Sequence, residues 1–378
     1  MVLLRGRATP DGTARFAARA QRKQVHPSHF SDERSGLHLS SIGLGTYLGE
    51  EDGPTDLAVT EAARLAVGSG RVNLLDTAIN YRNQRAERSL GRALGLLSEA
   101  GVAREEVFVA SKAGYLAPDG ESGLAPASWV QSELIQPKVL AARDIVDGSH
   151  AMTPAYLRDQ ARRSRENLGI ETLDLLYLHN SAEAQQPWVG REAYLERLGS
   201  AFEEFERLRS DGWIAHYGLA TWDSLRSPRS APSHLELESA LALAVKAGGT
   251  THGFHFLQFP FNVAMPEASA LRSQRVGGRA TSLFGASQAL QLGCFTSVPL
   301  LQGQLLDRLP AADGLSPAQW AVQFARSAPG NLAPLVGMKR PEHLAEDLTV
   351  AEQPRWGAEA FRSRLEQSSG VADAGGPG

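Results

Sequence analysis

Three apolar runs, each closing on an ionisable side chain, set the tightest limit on how this chain can fold. Residues 72–75 of VNLLDTAINY deliver Asp76, VFVASK (107–112) ends in Lys112, and LDLLYLHN (173–180) ends in His179 with Asn180 after it. Apolar runs of about four to eight residues, each followed by helical periodicity, read as buried strands in a βα series. Tyr81 lies five residues beyond Asp76, in a loop that opens into a helical pattern from residue 85. If such strands close into a parallel barrel, their carboxyl ends share one mouth. Asp76, Tyr81, Lys112 and His179 would then converge there.

The rest of the chain supplies the remaining units. Residues 37–49 read as the first strand, with Gly43, Gly45 and Gly49 letting the backbone run close to something bulky. Further strands are expected near 213–222, 254–262, 294–301 and 332–337, and helices near 56–68, 85–100, 192–210, 233–247 and 316–327. A helix over 153–168 starts on Thr153 and Pro154 and stops at Gly169. Eight βα units without an internal repeat point to a single (β/α)8 TIM barrel over residues 37–367. Residues 1–36, polar and arginine-rich, are expected as an N-terminal extension outside the core, and 368–378 as a disordered tail. A long loop after strand 3, residues 113–151, carries Pro118, Pro126 and Pro137 beside Tyr115, Trp129, Leu134 and Ile135. A connection this long in a compact domain is usually functional or disordered, and the aromatic and apolar content disfavours disorder.

Composition narrows the function. With a net charge of −4, a pI near 6.2 and no basic stripe among aromatics, neither nucleic acid nor a membrane surface is an expected partner. Cys294 is the single cysteine and cannot form an internal disulfide, so a reducing cytoplasm is expected. No run approaches the ~18 apolar residues of a membrane span, and the first twenty residues lack an apolar signal core. His252 and His255 have no third ligand at suitable spacing, so no metal is expected. No G-x-G-x-x-G follows a strand and no G-x-x-x-x-G-K-[ST] occurs, which disfavours a Rossmann or P-loop enzyme. Only five lysines occur (Lys23, Lys112, Lys138, Lys246, Lys339), which makes one at a buried strand end noteworthy.

In chain order, Asp76, Tyr81, Lys112 and His179 resemble the catalytic tetrad of the aldo-keto reductases, and the resemblance extends over residues 39–348. It implies NADPH-dependent reduction of a small-molecule aldehyde or ketone. Tyr81 would donate the proton, and Lys112 would lower its pKa from ~10. Asp76 would hold Lys112 charged, and a neutral His179 would orient the carbonyl. GMKRPEHLAEDL (337–348) resembles the family's adenosine-phosphate clamp: Gly337, Lys339 and Arg340 for a 2′-phosphate of NADPH/NADP, Glu346 and Asp347 near the adenine. Aspartate stands there where asparagine is usual. Gln258 matches the carboxamide-binding glutamine, with Gly45, Thr46, Asn180, Pro299 and Leu300 as further cofactor contacts. Ala220 and Thr221 replace a common serine–asparagine pair, Thr221 keeping a hydrogen-bonding group. Ser297 stands where many members stack an aromatic on the nicotinamide. Tyr47, Tyr115, Trp129 and Trp222 are expected at the substrate. Two other readings stay open: a cofactor-binding regulatory subunit that turns over slowly, and a non-redox barrel lyase or isomerase using Lys112.

Overall fold

A computed structural model describes residues 3–32, 36–309 and 311–367. Eight parallel strands close into a barrel. In chain order they are β1 Gly43–Gly45, β2 Leu74–Asp76, β3 Phe108–Ala113, β4 Leu173–His179, β5 Ile214–Ala220, β6 Phe254–Pro260, β7 Gly293–Ser297 and β8 Asn331–Val336. The helices that return the chain are α1 Gly53–Gly68, α2 Arg85–Glu99, α3 Pro154–Leu168, α4 Arg191–Ser210, α5 Leu237–Gly248, α6 Leu283–Ala289, α7 Pro317–Ser327 and α8 Pro341–Leu348. Strands covered on both faces must be apolar on both, which is why they read as continuous runs. In β4, Leu176 and Leu178 join the shell beneath the helices, while Leu175 and Tyr177 fill the barrel interior. Phe256 stacks on Phe295 in that interior, ring centroids 5.5 Å apart at 11°.

Two expectations from the sequence need correction. The first strand is broken in two: His38–Ser40 pairs antiparallel with Phe30–Asp32, and only Gly43–Gly45 belongs to the barrel. The amino-terminal segment is not outside the core. Its helix Pro10–Gln21 buries Phe16 in the outer shell, and Ala8, Leu37 and Leu39 close the base of the barrel interior. Docking is close because residue 12 is glycine: a Cβ there would stand 2.3 Å from the Glu105 carbonyl oxygen. Ala8 N–H donates to Asp174 Oδ1 at 2.6 Å, whose other oxygen accepts from Arg104. These contacts join positions far apart in sequence, so local periodicity carried no trace of them. The tail expected over 368–378 lies outside the described residues.

Helix α6, the short helix Ser181–Val189 and the hairpin Gln274–Val276 with Arg279–Thr281 have no counterpart in the sequence reading. All are brief, below the length at which periodicity separates helix from loop. Among the described residues no helix is long and apolar enough to cross a membrane, and no group of three or more His, Cys, Asp or Glu could hold a metal ion.

Candidate active site

Strand register brings the ionisable ends together. Gly45 pairs with Asp76, Asp76 with Ala110, Lys112 with Tyr177, His179 with Ala220, and Ala220 with Gln258. Lys112 Nζ donates to Asp76 Oδ1 at 2.6 Å and to the Thr77 carbonyl at 2.8 Å. The same ammonium sits 4.9 Å from the centroid of the Tyr81 ring. Tyr81 meets His179 edge-on, with ring centroids 5.9 Å apart. All four residues of the expected constellation therefore share one mouth.

The electrostatics differ from expectation in one respect. Burial, then the Asp76 carboxylate and the phenols of Tyr47 and Tyr115, push Tyr81 well above its ordinary value of 10. The Lys112 ammonium does not outweigh them: it donates to Asp76 and Thr77, and it faces the ring rather than standing out as a free charge. The phenol is thus held protonated. Burial, Lys112 and His150 lower His179 well below 6.5, so its imidazole is neutral at ordinary pH. Burial also pushes Asp76 up and Lys112 down, and in each case the partner's charge opposes the change.

Tyr81 is placed by an unusual turn. Arg82, Asn83 and Gln84 follow with φ of 49°, 49° and 71°, three consecutive left-handed residues that side chains ordinarily avoid. Buried partners hold them: Arg82 donates to Asp56 Oδ1 at 2.6 Å, and Gln84 Nε2 to the Ala117 carbonyl at 2.8 Å. Arg85 takes the other Asp56 oxygen at 2.6 Å. The sequence reading missed Asp56, because an acidic residue near a helix start resembles any helix-dipole residue.

The expected cofactor residues fall around the same mouth. Thr221 Oγ1, Gln258 Oε1 and His179 Nδ1 are buried without a hydrogen-bond partner. Orphaned polar atoms are rare in folded proteins and suit a polar ligand group such as a carboxamide. Thr46 is partly committed, its hydroxyl reaching Thr77 Oγ1 at 2.9 Å. Asn180 is left-handed at φ 45°, its amide 3.4 Å from the Tyr115 hydroxyl. Pro299 and Leu300 follow β7 after Val298, between Val298 and Leu301, which are also left-handed. Gly337 leads from β8 to Lys339 and Arg340, which make no ion pair among the described residues. The Lys339 ammonium lies 3.1 Å from where a Cβ on Gly49 would stand. Glu346 accepts from Ser316, the N-cap of α7. Asp347 is 1% exposed with Oδ1 unpartnered, its carboxyl pushed up to about 7 by burial and by Glu346.

Of the residues expected at the substrate, three line the mouth. Tyr47 is exposed, 5.0 Å from the Tyr81 ring. Tyr115 meets His179 edge-on at 5.1 Å. Trp222 is exposed beyond β5, where Glu183 Oε1 accepts its backbone N–H and those of Asp223 and Ser224. Trp129 is a correction. It is buried with Leu134, Leu140 and Tyr156 in a small core against α3, with Arg163 over its ring at 5.0 Å. Burying apolar area of the 113–151 loop against that helix removes it from water.

Comparison with known proteins agrees with the barrel fold. A model of the Aldo/keto reductase family matches residues 41–246. The holo form of the aldo-keto reductase AKR11C1 from Bacillus halodurans aligns at 17% identity and TM-score 0.58, over 89% of this chain and 94% of that one. An aldo/keto reductase from Klebsiella pneumoniae, in complex with NADP and acetate, aligns at 17% identity and TM-score 0.58, over 90% and 95%. The chain belongs to the aldo/keto reductase family, and is thereby an oxidoreductase of carbonyl compounds.

Proposed function

We propose that this protein reduces an aldehyde or ketone with NADPH, and oxidises the alcohol in reverse, with Tyr81 as the proton donor. The observation that carries the reading is the buried Lys112–Asp76 pair beneath Tyr81, with a neutral His179 alongside. When bound, NADPH supplies the hydride. Tyr81 and His179 receive the carbonyl oxygen, and Tyr81 gives it a proton as negative charge develops there. Burial keeps the phenol protonated until that moment, and the Lys112 ammonium under the ring favours the phenolate left behind. A neutral His179 orients the oxygen by a hydrogen bond without placing a second cation in the site.

The residues that would hold the cofactor fit its chemistry. Thr221, Gln258 and Asn180 would take the carboxamide end, and Lys339 and Arg340 the 2′-phosphate. Gly45, Thr46, Pro299, Leu300 and Gly337 would line the path between, with Glu346 and Asp347 at the adenine. Tyr47, Tyr115 and Trp222 would wall the substrate. A Schiff base at Lys112 finds less support, because its Nζ is buried and engaged by two acceptors. Titration with NADPH and NADH, followed by a panel of aldehydes and ketones, tests the proposal. Tighter NADPH binding and oxidation of NADPH by at least some carbonyls are expected; no cofactor binding, or no turnover of any carbonyl, refutes it.

A further inference from the structure

His150, at the far end of the 113–151 loop, reaches the catalytic mouth from behind. It is fully buried, and its Nε2 lies 2.9 Å from the main-chain carbonyl of His179. A carbonyl can only accept, so Nε2 carries the proton and Nδ1 is the acceptor. That tautomer is enforced: Gln185 Nε2 stands 3.0 Å from His150 Nδ1, and Gln185 Oε1 accepts from Arg197 at 2.7 Å. Hydrogen bonds thus run in one direction, from the Arg197 guanidinium through Gln185 and His150 to the backbone of His179. Two further features seat the imidazole. Gly114 passes so close that a Cβ there would lie 2.5 Å from His150 Nε2. The Tyr115 ring stands edge-on to both His150 and His179, 5.1 Å from each.

The His179 imidazole has no such anchor of its own, since its Nδ1 is buried without a partner. Its position follows from its backbone and from the rings against it. We infer that His150 is a positioning residue for His179, fixing the end of β4 through the Gln185–His150 hydrogen-bond chain so that the His179 ring meets the substrate carbonyl. This rests on the proposed carbonyl reduction. It also assigns the 113–151 loop a second task, returning a side chain to brace the site it leaves.

The test compares His150→Phe, which keeps a ring but loses the donor, with His150→Gln, whose amide nitrogen can take the place of Nε2. Each is measured for kcat, KM and NADPH affinity, and by histidine-selective NMR of the His179 ring, assigned through its loss in His179→Gln. Misplacing a catalytic group by about 1 Å can cost ~100-fold. We expect His150→Phe to lower kcat by about ten- to a hundredfold, shift the His179 signal and leave NADPH affinity within about twofold; His150→Gln restores most of both. If His150→Phe fails to fold, Gln185→Leu removes the chain's middle link while sparing the imidazole, and should move the His179 signal in the same direction. An unmoved His179 signal, an unchanged kcat, or a His150→Gln variant as impaired as His150→Phe overturns the inference. If the wild type reduces no carbonyl, the functional reading fails, and the NMR comparison still decides whether His150 positions His179.

Discussion

Lys112 Nζ lies 2.6 Å from Asp76 Oδ1 in a place where both side chains are almost wholly shielded from water. Each charge is tolerable only because of the other, since the desolvation of a buried ion outweighs what a single partnerless charge can recover. Lys112→Met strands the Asp76 carboxylate, which should cost roughly 3–5 kcal/mol in chemical denaturation and drive the Tyr81 phenol further up. Tyr81→Phe leaves the pair intact. It should abolish carbonyl reduction, by at least ~100-fold in kcat, while NADPH still binds. A Tyr81→Phe enzyme with near wild-type turnover would remove the tyrosine from the mechanism.

On the proposed reading, the preference for NADPH over NADH rests on Lys339 and Arg340. A hydrogen bond to a charged group contributes ~1.5–3 kcal/mol, so Lys339→Ala or Arg340→Ala should each narrow the NADPH/NADH affinity ratio by about ten- to a hundredfold. NADH affinity itself should barely change. Fluorescence titration of both cofactors against both variants reads this directly, and an unaltered ratio would place the phosphate elsewhere.

Trp129 has changed role, from a contact with substrate to the centre of a small core on α3. Trp129→Ala should therefore act on stability, lowering it by ~3–5 kcal/mol as buried aromatic truncations do. It should leave the ratio of kcat/KM for large and small carbonyls unaltered. Trp222→Ala and Tyr115→Ala, at the mouth, should shift that ratio with little loss of stability. Equal selectivity changes in all three would return Trp129 to the substrate site.

Asp347 gives the fold a pH dependence of definite sign. Its carboxyl is pushed from 3.8 to about 7, so in that interval the folded state binds a proton that the unfolded state has lost. Stability from this group is full below about pH 4 and declines as pH rises toward and through about 7. Asp347→Asn should stabilise the protein relative to wild type above neutrality, by an amount that shrinks toward pH 4. Urea denaturation across that range, without cofactor, checks it; a pH-independent difference would mean the carboxyl titrates normally.

What the sequence determined by itself was the barrel and the ionisable groups that close its strands. Parallel strands covered on both faces must be apolar along their whole length, so an aspartate, a lysine and a histidine at their carboxyl termini are conspicuous in VNLLD, VFVASK and LDLLYLH. What only the tertiary structure decided was how those groups are held. Asp56 braces the turn after Tyr81 from α1, His150 braces β4 from the end of a loop, and Phe16 docks an amino-terminal helix that looked peripheral. The Tyr81 phenol rises rather than falls because burial and Asp76 outweigh an ammonium already spent on other acceptors. Each depends on contacts between residues distant in the chain, and on burial in three dimensions. Strand periodicity reports which residues leave water, but not which of them meet.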